Sequence, residues 1–228
     1  MAALDRSALA ERYHAVKAGL PAHVTLVAVS KTRSVEEIRA LYDLGHRAFG
    51  ENYPQELREK VPQLPPDIQW HFIGHLQRSN VKHVLPFAHL IHGVDGPRLL
   101  EEIEKRANAS AKTVDVLLQI HVAQEETKHG FAPDEVLELL REQDPTERWP
   151  HVRICGLMGM ATNTDDRALI SAEFNMMNEL YRKVMAGDLL PASRFNTLSM
   201  GMSGDAELAI QAGSTLVRIG TAIFGERA

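Results

Sequence analysis

Short apolar runs alternate with amphipathic segments along the whole chain. The runs are rich in β-branched and aromatic residues and are shorter than most helices, which favours strands buried on both faces. We predict eight strands, over residues 24–31, 47–52, 69–74, 87–94, 113–122, 152–158, 194–200 and 215–219. The segments between them place apolar residues at helical spacing, and one begins with the capping pair Ser34 and Glu37.

Eight strands that alternate with helices predict an α/β fold, a parallel (β/α)8 barrel of the TIM type. An amphipathic segment over residues 8–18 adds an extra N-terminal helix ahead of the first strand. No change in composition marks a boundary, so we expect one barrel domain over residues 1–228. The chain stops soon after the eighth strand, so we expect a missing or very short last helix, with the N-terminal helix covering that side. An open, doubly wound sheet is the alternative.

Charge and cysteine content narrow the class of protein. The 25 basic and 30 acidic residues are interspersed, which argues against a nucleic-acid-binding surface and a polybasic membrane patch. The single cysteine, Cys155, excludes a framework of disulfides and is typical of a reducing compartment. The start of the chain lacks the apolar core of a signal peptide, and no run reaches transmembrane length. We therefore expect a cytoplasmic protein that binds neither nucleic acid nor membranes.

A lysine, Lys31, ends the first predicted strand. In a parallel barrel the carboxyl ends of the strands form the face that carries chemistry. A lysine on such a rigid element, partly shielded from water, keeps its amine neutral often enough to attack an aldehyde and form a Schiff base. Most strand-end lysines simply extend into water, so Lys31 alone leaves both interpretations open.

Glycine-containing loops with hydroxyl side chains follow the last two predicted strands. Barrels commonly bind phosphate with these two loops. Glycines such as Gly220 let the backbone approach an anion, and Ser199, Ser203 and Thr221 offer hydroxyl donors. Each loop alone also fits an ordinary turn with a helix cap. Their joint occurrence after strands seven and eight favours a phosphate site.

A lysine that traps aldehydes and a phosphate site on one face predict a phosphorylated aldehyde as the ligand. Pyridoxal 5′-phosphate fits both features. Arg218, just before the last loop, is then within reach of the ring nitrogen, and a permanently charged arginine weakens the ring as an electron sink. Asn52 ends the second strand, beside Lys31 in barrel order. No metal site is predicted, because His71 and His75 have no evident third ligand.

Several segments together resemble the YggS/PROSC family of pyridoxal-phosphate-binding proteins: residues 27–31, 49–53, 70–77, 156–161 and 198–225. The resemblance implies a fold like the alanine racemase N-terminal domain. It also implies a role in pyridoxal phosphate homeostasis, through binding, storage or delivery of the cofactor, without established catalytic activity. By position, the site residues are Lys31 for the covalent aldimine, Arg218 for the ring nitrogen, Asn52 beside the ring, and Ser199, Ser203, Gly220 and Thr221 for the phosphate.

The family pattern often has an adjacent Asn and Lys soon after Leu-Gln. Here Asn80 and Lys82 are separated, so we assign that segment no role.

Two other functions stay open. A pyridoxal-phosphate-dependent racemase needs a second base on the opposite cofactor face, which a further domain supplies in alanine racemase. A Schiff-base aldolase would work without the cofactor. We expect instead a monomer whose partners are the cofactor and the apo forms of enzymes that use it.

Overall fold

The computed structural model describes residues 4–123, 129–142, 144–187, 189–191 and 193–226. In these ranges eight parallel strands occur: β1 (Thr25–Val29), β2 (Ala48–Glu51), β3 (Gln69–Phe72), β4 (Ala88–Val94), β5 (Val114–Gln119), β6 (Val152–Met158), β7 (Thr197–Ser199) and β8 (Leu216–Ile219). They pair in sequential order, and β8 pairs back with β1, so the sheet closes into a barrel. The predicted α/β barrel is confirmed, and the open doubly wound sheet is wrong.

Helices connect the strands on the outside of the barrel. They are α1 (Arg6–Ala18), α2 (Val35–Asp43), α3 (Pro54–Lys60), α4 (Val81–Val84), α5 (Pro97–Ala109), α6 (Pro133–Glu142), α7 (Pro145–Arg148), α8 (Arg167–Ala186), α9 (Ala206–Gln211) and α10 (Thr221–Phe224). The predicted capping box is present at α2, where Ser34 and Glu37 each accept from the other's backbone N–H. In the described part of the chain, no helix has the length and apolar character needed to cross a membrane.

The last helix, α10, is a single turn, as the short tail of the sequence predicts. The N-terminal helix α1 packs against it. The Arg12 side chain donates to the carbonyl oxygen of Ile223 at 2.8 Å, and Leu9 and Tyr13 of α1 are buried in the core. Helix α1 therefore covers the side of the barrel that a full-length eighth helix would cover.

Strand β7 is shorter than the sequence predicts. The apolar pattern extends over residues 194–200, but the strand comprises only Thr197–Ser199. The backbone N–H groups of Arg194 and Phe195 both donate to the carbonyl oxygen of Pro191, which holds this stretch in a turn. As a result, β7 shares a single pair of residues with β8 in the ladder.

Apolar side chains fill two regions. A large core lies between the barrel and its helices. The barrel interior holds a smaller set, made of Val27, Ala48, Leu90, Leu117, Met158 and Leu216. Because inward-facing residues alternate along a strand, the next inward positions after Leu90 and Leu216 are His92 and Arg218. Polar groups therefore replace the apolar filling toward the carboxyl ends of these strands.

Candidate functional site

Lys31 lies two residues beyond β1, at the carboxyl-end face of the barrel, and is half-buried. Helix α3 holds the backbone on both sides of it. The Lys60 ammonium donates to the Ser30 carbonyl at 2.9 Å, and the Thr32 N–H donates to the Glu56 carboxylate at 2.7 Å. Thr32 has a φ of 63°, in the left-handed region that β-branched residues rarely occupy. These two bonds fix the turn from which the Lys31 side chain extends.

A buried charged cluster lies beside this turn. Glu51, at the end of β2, accepts from the Ser30 hydroxyl at 2.6 Å and from the Lys60 ammonium at 2.9 Å. Lys60 also donates to Glu56 at 2.6 Å. The second carboxylate oxygen of Glu51 is buried without a hydrogen bond to any described residue. Burial raises the pKa of Glu51 to about 7, and the charge of Lys60 opposes that shift, so this carboxyl exchanges its proton near neutral pH.

Asn52 follows β2, and its side-chain oxygen Oδ1 is buried without a hydrogen-bond partner in the described part of the chain. Buried amide oxygens are rarely left unpaired, because an unsatisfied polar group costs about 1–3 kcal/mol. The Asn52 backbone is closely packed, since a Cβ atom at Gly74 would overlap the Asn52 carbonyl oxygen. A well-positioned, unpaired acceptor near the Lys31 turn fits a bound molecule that carries a hydrogen-bond donor.

The loops after β7 and β8 meet at Ser203 and Gly220. The Gly220 N–H donates to the Ser203 hydroxyl at 3.3 Å, and Thr221 follows at the exposed start of α10. Gly220 also lies against β1, because a Cβ atom there would come within 3.3 Å of the Val29 side chain. Val29 is two residues before Lys31. The structure thus brings the predicted phosphate loops and the predicted aldehyde-binding lysine to the same sector of the barrel.

Arg218 is buried on β8. Its guanidinium donates to the Ser199 carbonyl at 3.0 Å, to the Ser199 hydroxyl at 2.6 Å and to the Gly159 carbonyl at 3.0 Å. Burial lowers the pKa of Arg218 to about 10, so the side chain stays protonated at neutral pH. Ser199, for which the sequence predicts a phosphate contact, instead supports Arg218. The structure does not bring its hydroxyl to the contact between the two loops.

A row of hydrogen bonds continues from Arg218 across the barrel interior. Nδ1 of His92 lies 3.1 Å from the Ser199 hydroxyl, and Nε2 of His92 lies 2.9 Å from Nδ1 of His71. A guanidinium only donates, so the Ser199 hydroxyl accepts from Arg218. In the contact between the two histidines, one ring nitrogen donates and the other accepts. Burial lowers the pKa of His71 to about 3 and holds that of His92 well below its usual range, so both rings are neutral.

The sequence analysis missed several residues that lie next to the predicted ones. His92 does carry a signal, because it follows Leu90 at the next inward position of an apolar strand, where a barrel usually has an aliphatic side chain. Glu51 and Lys60 carry no such signal. Their pairing depends on how α3 packs beside the ends of β1 and β2, which no local pattern determines.

Comparison with known proteins matches nearly the whole chain to one family. Residues 4–228 match the alanine racemase N-terminal domain family. The pyridoxal phosphate homeostasis protein of Pasteurella multocida is 40% identical over 207 residues, which cover 90% of this chain and 87% of that protein. PipY of Synechococcus elongatus PCC7942 has a TM-score of 0.88 at 32% identity without PLP, and 0.80 at 31% identity with PLP bound. Both matches cover 95% of this chain and 100% of PipY.

A more distant structure shares the fold. Alanine racemase from Bartonella henselae, with covalently bound pyridoxal phosphate, has a TM-score of 0.75 at 20% identity. The match covers 98% of this chain and 60% of the racemase. The chain therefore corresponds in fold to the barrel portion of a longer enzyme.

Proposed function

The chain belongs to the alanine racemase N-terminal domain family and to the pyridoxal phosphate homeostasis proteins within it, and from this premise we propose that it binds pyridoxal 5′-phosphate covalently through Lys31. Its role is to hold the cofactor in the cytoplasm, to keep the free concentration low, and to deliver the cofactor to apo-enzymes. When bound, the cofactor supplies an aldehyde that reacts reversibly with a primary amine. The proposed role includes no catalytic step.

One observation carries this proposal: Lys31, Arg218 and the contact between Ser203 and Gly220 converge at the carboxyl ends of paired strands. Strands β1 and β8 pair directly, with Val27 opposite Arg218. The three groups suit three parts of one molecule, since an amine binds an aldehyde, a guanidinium binds a ring nitrogen, and hydroxyl and N–H groups bind phosphate. A ligand without an aldehyde or without a phosphate leaves one of these groups unused.

The proposed role of Arg218 is to orient the ring without protonating it. A guanidinium keeps its proton at neutral pH, so it donates to an unprotonated ring nitrogen. Its bonds to Ser199 and Gly159 fix its direction. An unprotonated ring withdraws less electron density from a bound amino acid, which favours holding the cofactor over catalysis. The unpaired Asn52 oxygen offers an acceptor to the edge of the ring.

A racemase-like enzyme is the second candidate, and the fold shared with alanine racemase is the observation in its favour. Racemisation needs bases on both faces of the cofactor. Lys31 is suited to one face, and we assign no base to the other. The relatives that match most of this chain are named as homeostasis proteins, which supports the binding role.

Borohydride trapping tests the proposal. Protein loaded with pyridoxal phosphate should absorb in the visible range, lose that absorption on reduction, and retain a cofactor adduct by mass spectrometry. Lys31→Ala should lose the adduct, whereas Lys82→Ala, at an exposed lysine, should keep it. An undiminished adduct in Lys31→Ala overturns the assignment of the lysine. The absence of any saturable cofactor binding to the unmodified protein overturns the proposed function.

A further inference from the structure

The carboxyl-end face of the barrel carries a second cluster of side chains, made of His75, Asp95 and His129. His75 lies three residues beyond β3, Asp95 directly follows β4, and His129 lies in the loop after β5. One nitrogen or oxygen atom from each residue lies within 4.8 Å of the other two. We propose that this cluster is a binding site for a divalent transition-metal ion, with Zn²⁺ as the ion that suits it best.

The distances in the cluster are close to those of a metal site. Nδ1 of His75 lies 3.1 Å from Oδ2 of Asp95. The rings of His75 and His129 are stacked, with centroids 4.4 Å apart and planes inclined by 24°. Two ligands on a tetrahedral ion with bonds of about 2.1 Å lie about 3.4 Å apart. The first pair is already near this separation, and rotation of the exposed His129 side chain adjusts the second.

The backbone of the cluster is held in place. A Cβ atom at Gly93 would lie 2.6 Å from the carbonyl oxygen of Gly74, so the ends of β3 and β4 pack closely just before the first two ligands. The Gln119 side chain donates to the carbonyl of His129 at 2.6 Å. The Phe131 N–H donates to the Gln119 carbonyl at 2.8 Å and anchors the chain after His129. Two strand ends and the loop after β5 therefore present the three donors from defined positions.

The donor set selects the class of ion. Two imidazoles and one carboxylate suit borderline ions such as Zn²⁺, Co²⁺ and Fe²⁺, whereas Mg²⁺ and Ca²⁺ prefer a shell of oxygen ligands. Three protein ligands leave at least one coordination position for water or for an anionic group. The site lies on the same barrel face as Lys31 but on the strands β3 to β5, away from β7 and β8.

The fold, not the sequence spacing, assembles this cluster. In the sequence His75 is nearest to His71, but the structure separates the two side chains. His71 is buried and hydrogen-bonds to His92, while His75 is exposed and meets Asp95. The expectation that His75 has no third ligand rested on local spacing, which does not reveal that the loops after β4 and β5 bring Asp95 and His129 close to it.

A metal titration of cofactor-free, untagged protein, first treated with a chelator, tests the site. We expect one Co²⁺ per chain, with the absorption bands of a four- or five-coordinate ion, and displacement by Zn²⁺ but not by Mg²⁺. His75→Ala, Asp95→Asn and His129→Ala should each weaken Zn²⁺ binding at least tenfold in competition with a chromophoric chelator. His23→Gln, at an exposed histidine before β1, is the matched control and should leave the affinity unchanged.

Stoichiometric binding that only the three cluster variants weaken supports the site. Lack of saturable Co²⁺ and Zn²⁺ binding up to millimolar concentrations overturns it, as do equal affinities in the unmodified protein and the three variants. If Asp95→Asn fails to fold, the two histidine variants decide, because both side chains are exposed. Borohydride trapping measures cofactor binding separately, so failure of the metal site and failure of the proposed function are distinguishable.

Discussion

Ser203 and Thr221 stand where the loops after β7 and β8 meet, and we place the cofactor phosphate there. A hydrogen bond to a charged group contributes about 1.5–3 kcal/mol, so losing one weakens binding about tenfold or more. We predict that Ser203→Ala and Thr221→Val each raise the Kd for pyridoxal phosphate by at least this factor. Binding of pyridoxal, which lacks the phosphate, should not change. Absorbance titration measures both ligands, and an unaltered Kd for the phosphorylated form in both variants would contradict the prediction.

Glu51 gives the stability of the fold a pH dependence. Burial raises its pKa from 4.5 in the unfolded chain to about 7 in the folded one. Between these values the folded state keeps a proton that the unfolded state releases, so the free energy of unfolding falls as the pH rises through this window. We predict that, over this window, the free energy of unfolding of Glu51→Gln falls by up to about 3 kcal/mol less than that of the unmodified protein, because the amide has no proton to lose. Urea unfolding at pH 4.5 and pH 8 measures the effect, and a constant difference between the two proteins argues against it.

At the residue scale, the predictable feature was that residues at the ends of strands come together on one face of the barrel. Lys31, Ser203 and Arg218 each lie at or just beyond the end of a strand, and a barrel places those ends on one face. Ser199 differs, because its hydroxyl faces the interior and meets Arg218 and His92 from other strands. Such contacts depend on side-chain orientation across the barrel, which the pattern along a single strand does not determine.

Helix α3 positions the Lys31 turn through Glu56 and Lys60, which are one helical turn apart. Lys60→Met keeps the aliphatic packing but leaves Glu51 buried without its cation. Breaking a buried ion pair costs about 3–5 kcal/mol, so we predict a loss of this size at pH 8. The loss should be smaller at pH 5, where Glu51 is protonated. Arg58→Met, at an exposed position of the same helix, is the control and should change stability little.

A double variant tests whether the charge of Lys60 is responsible. Combining Glu51→Gln with Lys60→Met removes both members of the pair, so part of the lost stability should return. Urea unfolding of the two single variants and the double variant gives the coupling energy. A loss that is the same at both pH values and is not recovered in the double variant would mean that Lys60 contributes through its bonds to Ser30 and Glu56 or through packing, and not by balancing the charge of Glu51.

At the scale of elements, hydrophobic periodicity was sufficient for the order of strands and helices but not for every boundary. The apolar spacing over residues 76–85 is typical of a helix, one of the helical segments between the predicted strands. In the structure Gln77 is extended, a 3-10 turn follows at Arg78–Asn80, and the helix is confined to Val81–Val84. The apolar positions of this stretch, including Leu76, are buried as expected. The pattern identified the buried side chains correctly, while the local backbone forms a turn that buries the same side chains.

At the scale of the whole molecule, the role that we propose is to hold a cofactor rather than to use it. We predict that protein loaded with pyridoxal phosphate does not exchange the Cα proton of either enantiomer of alanine faster than free cofactor does. The reason is that, in the site we propose, Arg218 leaves the ring unprotonated and Lys31 is the single base we assign. Incubation in deuterated water with detection by NMR measures exchange, with an alanine racemase as the positive control. Exchange that exceeds one turnover per chain and disappears in Lys31→Ala would make this protein an enzyme.

The row of hydrogen bonds from Arg218 to His71 also constrains how this barrel can evolve. An acidic residue at position 218 would protonate a cofactor ring and strengthen its chemistry, but a carboxylate accepts where arginine donates. The Ser199 hydroxyl would then donate toward position 218, and the His92 nitrogen that faces Ser199 would have to donate to it. A substitution at position 218 therefore acts on a connected row of four buried residues and not on one side chain alone.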